Sequence, residues 1–302
     1  MTIKLKALIL IVAFSCALLS WLWFALDRAI PRSYPVDDPG TMFLEFDNGR
    51  IRYQSTGAGS EGILFLHGFN GALGNWKPVW PLLEDCPRRV RIDLPGFGAS
   101  DWQTESFSLP DQAQRVLAFL DAINLQRVTV VGYSMGASLS AWLAATYPDR
   151  IKGAVLLAPS GLTGSLTYGG IRGHLYHPGP ANRFATKLAK TRIFNVLYPR
   201  SRLLQALTVT ASYGAPWDQA IAKIQQPVAI LWSKGDRTVP FDYAGKVDQL
   251  IWNSILIPLD ESVGHAIYRK EPKLVANIAC TIAQMDLGED VTEAVNEVIE
   301  SR

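Results

Sequence analysis

Residues 132–136 read Gly-Tyr-Ser-Met-Gly, between the β-forming run VTVV (128–131) and an Ala-rich helical run, SMGASLSAWLAATY. A serine placed there has two readings. It can cap the helix while the glycines serve the turn. It can also be a nucleophile on a sharp turn, whose strained backbone leaves room only for small neighbours. The second reading needs partners, because a serine hydroxyl is a weak nucleophile without a base that a carboxylate orients. His265 offers the base, in Ser-Val-Gly-His-Ala (262–266) just after the apolar run SILIPLD. Asp236 offers the acid, in Lys-Gly-Asp-Arg (234–237) just after PVAILW. A tetrahedral intermediate also needs N–H donors aimed at its oxyanion. The amide of Met135, next to the serine, supplies one, and His-Gly-Phe-Asn-Gly (67–71) supplies the second through Phe69, with Asn70 as second choice. His67 then braces that loop.

The elements needed to position these residues are visible in the hydrophobic pattern. MFLEF and IRYQS alternate across Asn48-Gly49 as a β-hairpin. After them, short apolar strands (GILFLHG, RRVRIDL, RVTVVGY, IKGAVLLAP, PVAILWSKGD, SILIPLD) alternate with helical periods, notably LPDQAQRVLAFLDAI, DYAGKVDQLIW and KEPKLVANIACTIAQM. Near-continuous apolar strands separated by helices imply an α/β fold, a mainly parallel sheet covered on both faces. Ser134, Asp236 and His265 then fall at strand ends on the edge where such sheets hold ligands. One segment breaks the alternation. Residues 162–217 carry nine Arg, Lys and His residues and not one Asp or Glu, which suggests an inserted cap. Within it Arg183, Lys187 and Lys190 recur at helical spacing, either as a lipid-facing stripe or as the solvated face of a cap helix. The expected layout is an anchor or signal segment at 1–30, a Pro-rich linker at 31–41, core at 42–161, cap at 162–220, core again at 221–285, and an acidic helical tail at 286–302.

With 48% hydrophobic and 19% charged residues the chain can bury a large core, and its net charge of +2 points to no nucleic-acid partner. Four histidines without an H-E-x-x-H pattern suggest no metal, and the chemistry needs no cofactor. Of three cysteines, Cys16 lies in the apolar leader, and whether Cys86 and Cys280 pair cannot be read from sequence. Residues 7–26 are twenty positions without a charge, about 30 Å as a helix and enough to span a hydrocarbon core. A cleaved signal peptide competes, with Ser15 and Ala17 flanking a small-residue site. The length of the run, and the sticky LLSWLWFAL that cleavage would leave, favour an uncleaved membrane anchor. Lys4 and Lys6 with the α-amine, against Arg28 and Arg32, place the N-terminus in the cytosol and the catalytic domain outside it.

Five ordered motifs, HGFNGALGNW (67–76), DLPGFGASD (93–101), GYSMGAS (132–138), GDRTVP (235–240) and GHAIYRKEP (264–272), together resemble the α/β-hydrolase superfamily over about residues 42–285. The resemblance is to its branch of esterases, monoacylglycerol lipases and carbon–carbon bond hydrolases. It implies an α/β-hydrolase fold with an inserted helical cap, Ser134 as nucleophile, Asp236 as acid, His265 as base, and Phe69 and Met135 as oxyanion donors. Ala137 departs from it, standing where many relatives show a second glycine. The expected function is a membrane-anchored serine hydrolase of lipophilic carboxylic esters, of monoacylglycerol or lysolipid type. A carbon–carbon bond hydrolase on the same triad, or a catalytically silent binding protein, are the alternatives.

Overall fold

The computed structural model describes residues 38–104, 106–164, 202–285 and 288–300, together with Ser15, Phe184 and Lys187. Among them, nine strands form one sheet in the order β1-β2-β4-β3-β6-β7-β8-β9, with the two-residue β5 (Asp101–Trp102) paired to β2. The first two strands, β1 (Met42–Phe46) and β2 (Gly49–Thr56), are the expected hairpin. Its turn is Asp47-Asn48, one residue earlier than the Asn48-Gly49 expected, because Phe46 pairs with Gly49. Gly49 instead opens β2, where an added Cβ would come 2.2 Å from the Asp101 carbonyl oxygen of β5.

β2 pairs antiparallel with the next strand of the sheet, and beyond that the sheet is parallel. The strands β3 (Glu61–Leu66), β6 (Arg127–Tyr133), β7 (Ile151–Leu157) and β8 (Val228–Ser233) bury nearly every residue, so they can lie only in the middle, covered on both faces. β4 (Arg89–Ile92) joins β2 to β3, and β9 (Ser254–Leu259) ends the far side. One face is covered by α1 (Leu109–Ala122) and α2 (Met135–Thr146). Ser108 starts α1 by accepting the Asp111 amide, and Pro110 sits in its first turn. The second helix is buried at nine of its twelve residues, consistent with a helix lodged between the sheet and other helices.

Among the described residues, two helices with defined ends fall at the end of the segment expected to be the cap: α3 (Arg202–Thr210) and α4 (Ala215–Ile221). α4 packs on α2, and Trp217 is completely buried, its indole N–H donating to the Ser138 carbonyl at 2.9 Å. The end of the inserted segment is therefore part of the core packing. After α5 (Ala244–Leu250) and the one-turn α6 (Ile267–Lys270), α7 (Pro272–Gln284) covers the other face. The tail helix α8 (Val291–Glu300) buries Val291 and Val295 against α7, β8 and β9. Cys280 on α7 is disulfide-bonded to Cys86, in the loop before β4, with Cα atoms 5.4 Å apart. A bridge closing so long a loop typically stabilises a fold by about 2–5 kcal/mol.

The expected membrane span at 7–26 lies outside the described residues apart from Ser15. Among the described residues no helix is long and apolar enough to cross a membrane. Of the basic stripe, Arg183 and Lys190 also lie outside, whereas Phe184 and Lys187 are helical and exposed.

Candidate active site

Ser134 sits between β6 and α2 with φ 53° and ψ −115°, a conformation that L-residues rarely adopt and that persists only where the surroundings enforce it. Its amide is held by the Leu157 carbonyl of β7 at 2.8 Å. The flanking glycines are required by close approach. A Cβ on Gly132 would come 2.3 Å from the Gly136 carbonyl oxygen, and one on Gly136 would come 2.2 Å from that of Leu66. Ser134 occupies the N-cap position of α2, yet its hydroxyl makes no capping hydrogen bond. The capping reading of this serine therefore fails. Met135 begins the helix, so its N–H belongs to the first turn that has no intrahelical acceptor.

The loops after β8 and β9 bring Asp236 and His265 together. Nδ1 of His265 is 2.6 Å from Oδ2 of Asp236. The other carboxylate oxygen accepts the amides of Thr238 and Val239 at 2.8 and 2.9 Å, and the side chain is fully buried. Neighbouring Asp260 and Glu261 are not the partners of this histidine. Ser233 fastens the two loops to each other: its hydroxyl donates to the Asp260 carbonyl (2.7 Å) and accepts the amides of Gly235 (3.2 Å) and Gly264 (2.9 Å).

The ring of His265 packs on that of Tyr133, with centroids 4.9 Å apart, which sets it beside the Ser134 turn. Among the described residues no hydrogen bond joins Ser134 to His265, a spacing that in ligand-free sites often tightens only once substrate is bound. Burial, followed by the neighbouring Tyr268 and Asp236, raises the Tyr133 phenol well above its ordinary range, so it stays neutral.

The loop after β3 lies against the same turn. A Cβ on Gly68 would be 3.3 Å from that of Ser134, so the residue before Phe69 closely approaches the serine. His67 braces this loop, as expected. Its Nε2 accepts the Leu94 amide at 3.0 Å, so the proton sits on Nδ1 and is donated to the Gly68 carbonyl at 2.7 Å. Burial lowers its pKa, outweighing the pull of Asp93 in the other direction. Asn70, in the same loop, takes a left-handed φ of 58°. Phe69 continues into an edge-to-face series, 5.8 Å to Phe97 and then 5.9 Å to Phe107, an apolar wall beside the loop.

Several residues that build the site carried no signal of their own in the sequence: Ser233, Asp93, Asn75 and Tyr268. Asp93, like Asn75 and Tyr268, lies inside a motif already noted, but its task emerges only in three dimensions. Fully buried, it takes the Arg52 guanidinium (2.8 Å) and the amides of Leu73 (2.6 Å) and Ala99 (2.7 Å).

The sheet order, the strained serine turn and the Asp236–His265 pair define the class. The family model for the alpha/beta hydrolase fold matches residues 62–177. A 2-hydroxy-6-oxononadienedioate/2-hydroxy-6-oxononatrienedioate hydrolase of Burkholderia vietnamiensis is 28% identical over 232 residues, covering 68% of this chain and 80% of that protein. A dihydrolipoyllysine-residue acetyltransferase component of the acetoin cleaving system of Cupriavidus necator is 35% identical over 142 residues. That match covers 45% of this chain and spans only 38% of the relative. Among solved structures, a bacterial membrane phospholipase A superposes with a TM-score of 0.60 at 22% identity, covering 99% of each chain, a likeness of fold. The chain has the α/β-hydrolase fold, and its likeness is to that superfamily.

Proposed function

We propose that the protein is a serine hydrolase of lipophilic carboxylic esters. The observation that carries this reading is the 2.6 Å contact between His265 Nδ1 and Asp236 Oδ2, next to a serine held at φ 53° at the head of a buried helix. The carboxylate fixes the imidazole with its proton on Nδ1 and its lone pair on Nε2. Nε2 takes the Ser134 proton as Oγ attacks the ester carbonyl. The amides of Met135 and Phe69 receive the oxyanion, and the imidazolium then protonates the leaving alcohol. Water, deprotonated by the same imidazole, releases the acid from the acyl-enzyme.

Two features favour a lipophilic ester: the Phe69–Phe97–Phe107 wall and the uncharged run at 7–26, read as a single-pass anchor. With the N-terminus in the cytosol the catalytic domain is outside it, a compartment that suits the Cys86–Cys280 bridge. The basic residues Arg183, Lys187 and Lys190 would add a weak, salt-sensitive attraction to anionic lipid.

A second reading is carbon–carbon bond hydrolysis of a vinylogous diketone on the same triad, favoured by the 28% identity to the Burkholderia hydrolase. A fluorophosphonate probe should label the full-length protein and not Ser134→Ala. Esters of graded acyl length assayed beside a diketone substrate then separate the two chemistries. Faster turnover of the diketone overturns the ester reading, and no labelling overturns both.

A further inference from the structure

Tyr268 lies three residues past His265 on α6 and is 4% exposed. Its hydroxyl accepts a hydrogen bond from Asn75 Nδ2 at 2.6 Å, across 193 residues of sequence. Asn75 belongs to the 3₁₀ turn Leu73–Trp76 that closes the loop carrying Phe69. Its Oδ1 accepts the Ala72 amide of that loop at 2.9 Å. The amide group thus has its donor end on Tyr268 and its acceptor end on the loop, and turning it over would set its NH2 against the Ala72 N–H. The Tyr268 ring also packs 4.9 Å from Tyr133, the residue before Ser134, and 5.7 Å from Trp76. One side chain therefore touches the oxyanion loop and the serine turn while riding on the segment that carries the histidine.

The oxyanion loop needs such a tie. No strand ladder runs through residues 67–72, and a donor is useful only if it stands about 2.7–3.1 Å from the developing charge. His67 on Leu94 and Asp93 on Leu73 fasten the loop towards the end of β4. Asn75 on Tyr268 fastens it towards the histidine.

We infer that Tyr268 is a positioning residue of the reaction: through its hydrogen bond to Asn75 it holds the oxyanion loop at its working height over Ser134, in register with His265. The inference rests on the serine-hydrolase reading. In the full-length protein in detergent, Tyr268→Phe keeps the ring contacts and removes only the hydroxyl. With p-nitrophenyl butyrate, kcat should fall roughly tenfold, the scale of one net hydrogen bond, while KM stays within about twofold. Fluorophosphonate labelling should slow by a similar factor, because it too builds charge in the oxyanion site. The acid limb of the pH–rate profile should stay in place, since the proton acceptor is untouched. Asn75→Ala should lose at least as much, and adding Tyr268→Phe to it should cost nothing further. Several results overturn the inference: an unchanged kcat, a KM rise with kcat intact, losses that multiply in the double variant, or a displaced acid limb. A parent protein that neither labels nor turns over ester overturns the serine-hydrolase reading itself, and this inference with it. A labelled parent matched by Tyr268→Phe overturns this inference alone.

Discussion

Among the described residues two histidines stand near buried aspartates, and only one has the bonding that the proposed catalysis needs. His67, fully buried, spends both ring nitrogens on backbone: Nδ1–H on the Gly68 carbonyl and Nε2 on the Leu94 amide. The aspartate near it, Asp93, is occupied by Arg52, Leu73 and Ala99. His265 is partly exposed and spends Nδ1 on Asp236, while its ring packs on Tyr133, the residue before the serine. Nearness to a carboxylate does not make a general base. What does is a carboxylate bonded to one nitrogen and a second nitrogen with no fixed partner. The first histidine is architecture, and the second has the bonding that the proposed proton transfer needs.

The largest expected effects test that division directly. Ser134→Ala and His265→Ala should each remove nearly all ester turnover, on the order of 10⁶-fold, and combining them should cost little more. Asp236→Asn should cost about 10⁴-fold, because the amide no longer holds the imidazole in its working tautomer. All three proteins should keep the parent's unfolding midpoint in urea within the error of the melt. If Asp236→Asn turned over ester at near the parent rate, the two aspartates would be alike in function and the comparison would collapse.

A smaller effect is expected on the architectural side. Arg52 and Asp93 form an ion pair at 2.8 Å with both side chains essentially out of solvent. Removing one partner of such a pair leaves a buried charge uncompensated and typically costs about 3–5 kcal/mol. Arg52→Met should therefore lower the urea midpoint markedly, while the folded fraction, counted by fluorophosphonate labelling, retains kcat within a few-fold. An intact midpoint would show that Asp93 is satisfied without the guanidinium. A kcat loss as deep as that of Asp236→Asn would place this cluster in the chemistry.

The same contrast explains what could be read before the structure. Ser134, Asp236 and His265 could be named as candidates because chemistry restricts their types and the strand pattern fixes their places. Continuous apolar runs such as GILFL and VAILW announced central parallel strands for a similar reason: burial on both faces leaves no polar positions. Asp93, Ser233, Asn75 and Tyr268 were not legible, because each acts through a partner far away in sequence, as Asn75 does with Tyr268. The hairpin turn was misplaced by one residue. Asn-Gly is a strong turn signal, but the approach of β5 claims that glycine for the strand instead. Trp217 lies in the segment expected to be the cap and is a core residue, and nothing local reveals that α4 packs on α2.

The smallest effect is a pH dependence of stability that belongs to His67 and not to the triad. Its bonding pattern requires a neutral ring, because a proton on Nε2 would face the Leu94 N–H that now donates to it. Burial holds its pKa below the ordinary value of 6.5 in the folded protein. The unfolded chain, with an ordinary histidine, takes up a proton that the folded chain refuses. The stability contributed by the neutral ring is thus complete above about pH 6.5 and is lost progressively as pH falls below it, by at most about 1.4 kcal/mol per pH unit. Urea melts of the parent at pH 7.5 and pH 5.5 should show this loss. His67→Asn should be less stable than the parent at pH 7.5, having lost the brace, yet should fall less between the two pH values. A variant whose stability drops as steeply as the parent's would assign the acid sensitivity to other groups. His67 would then be a brace with no part in the protein's response to acid.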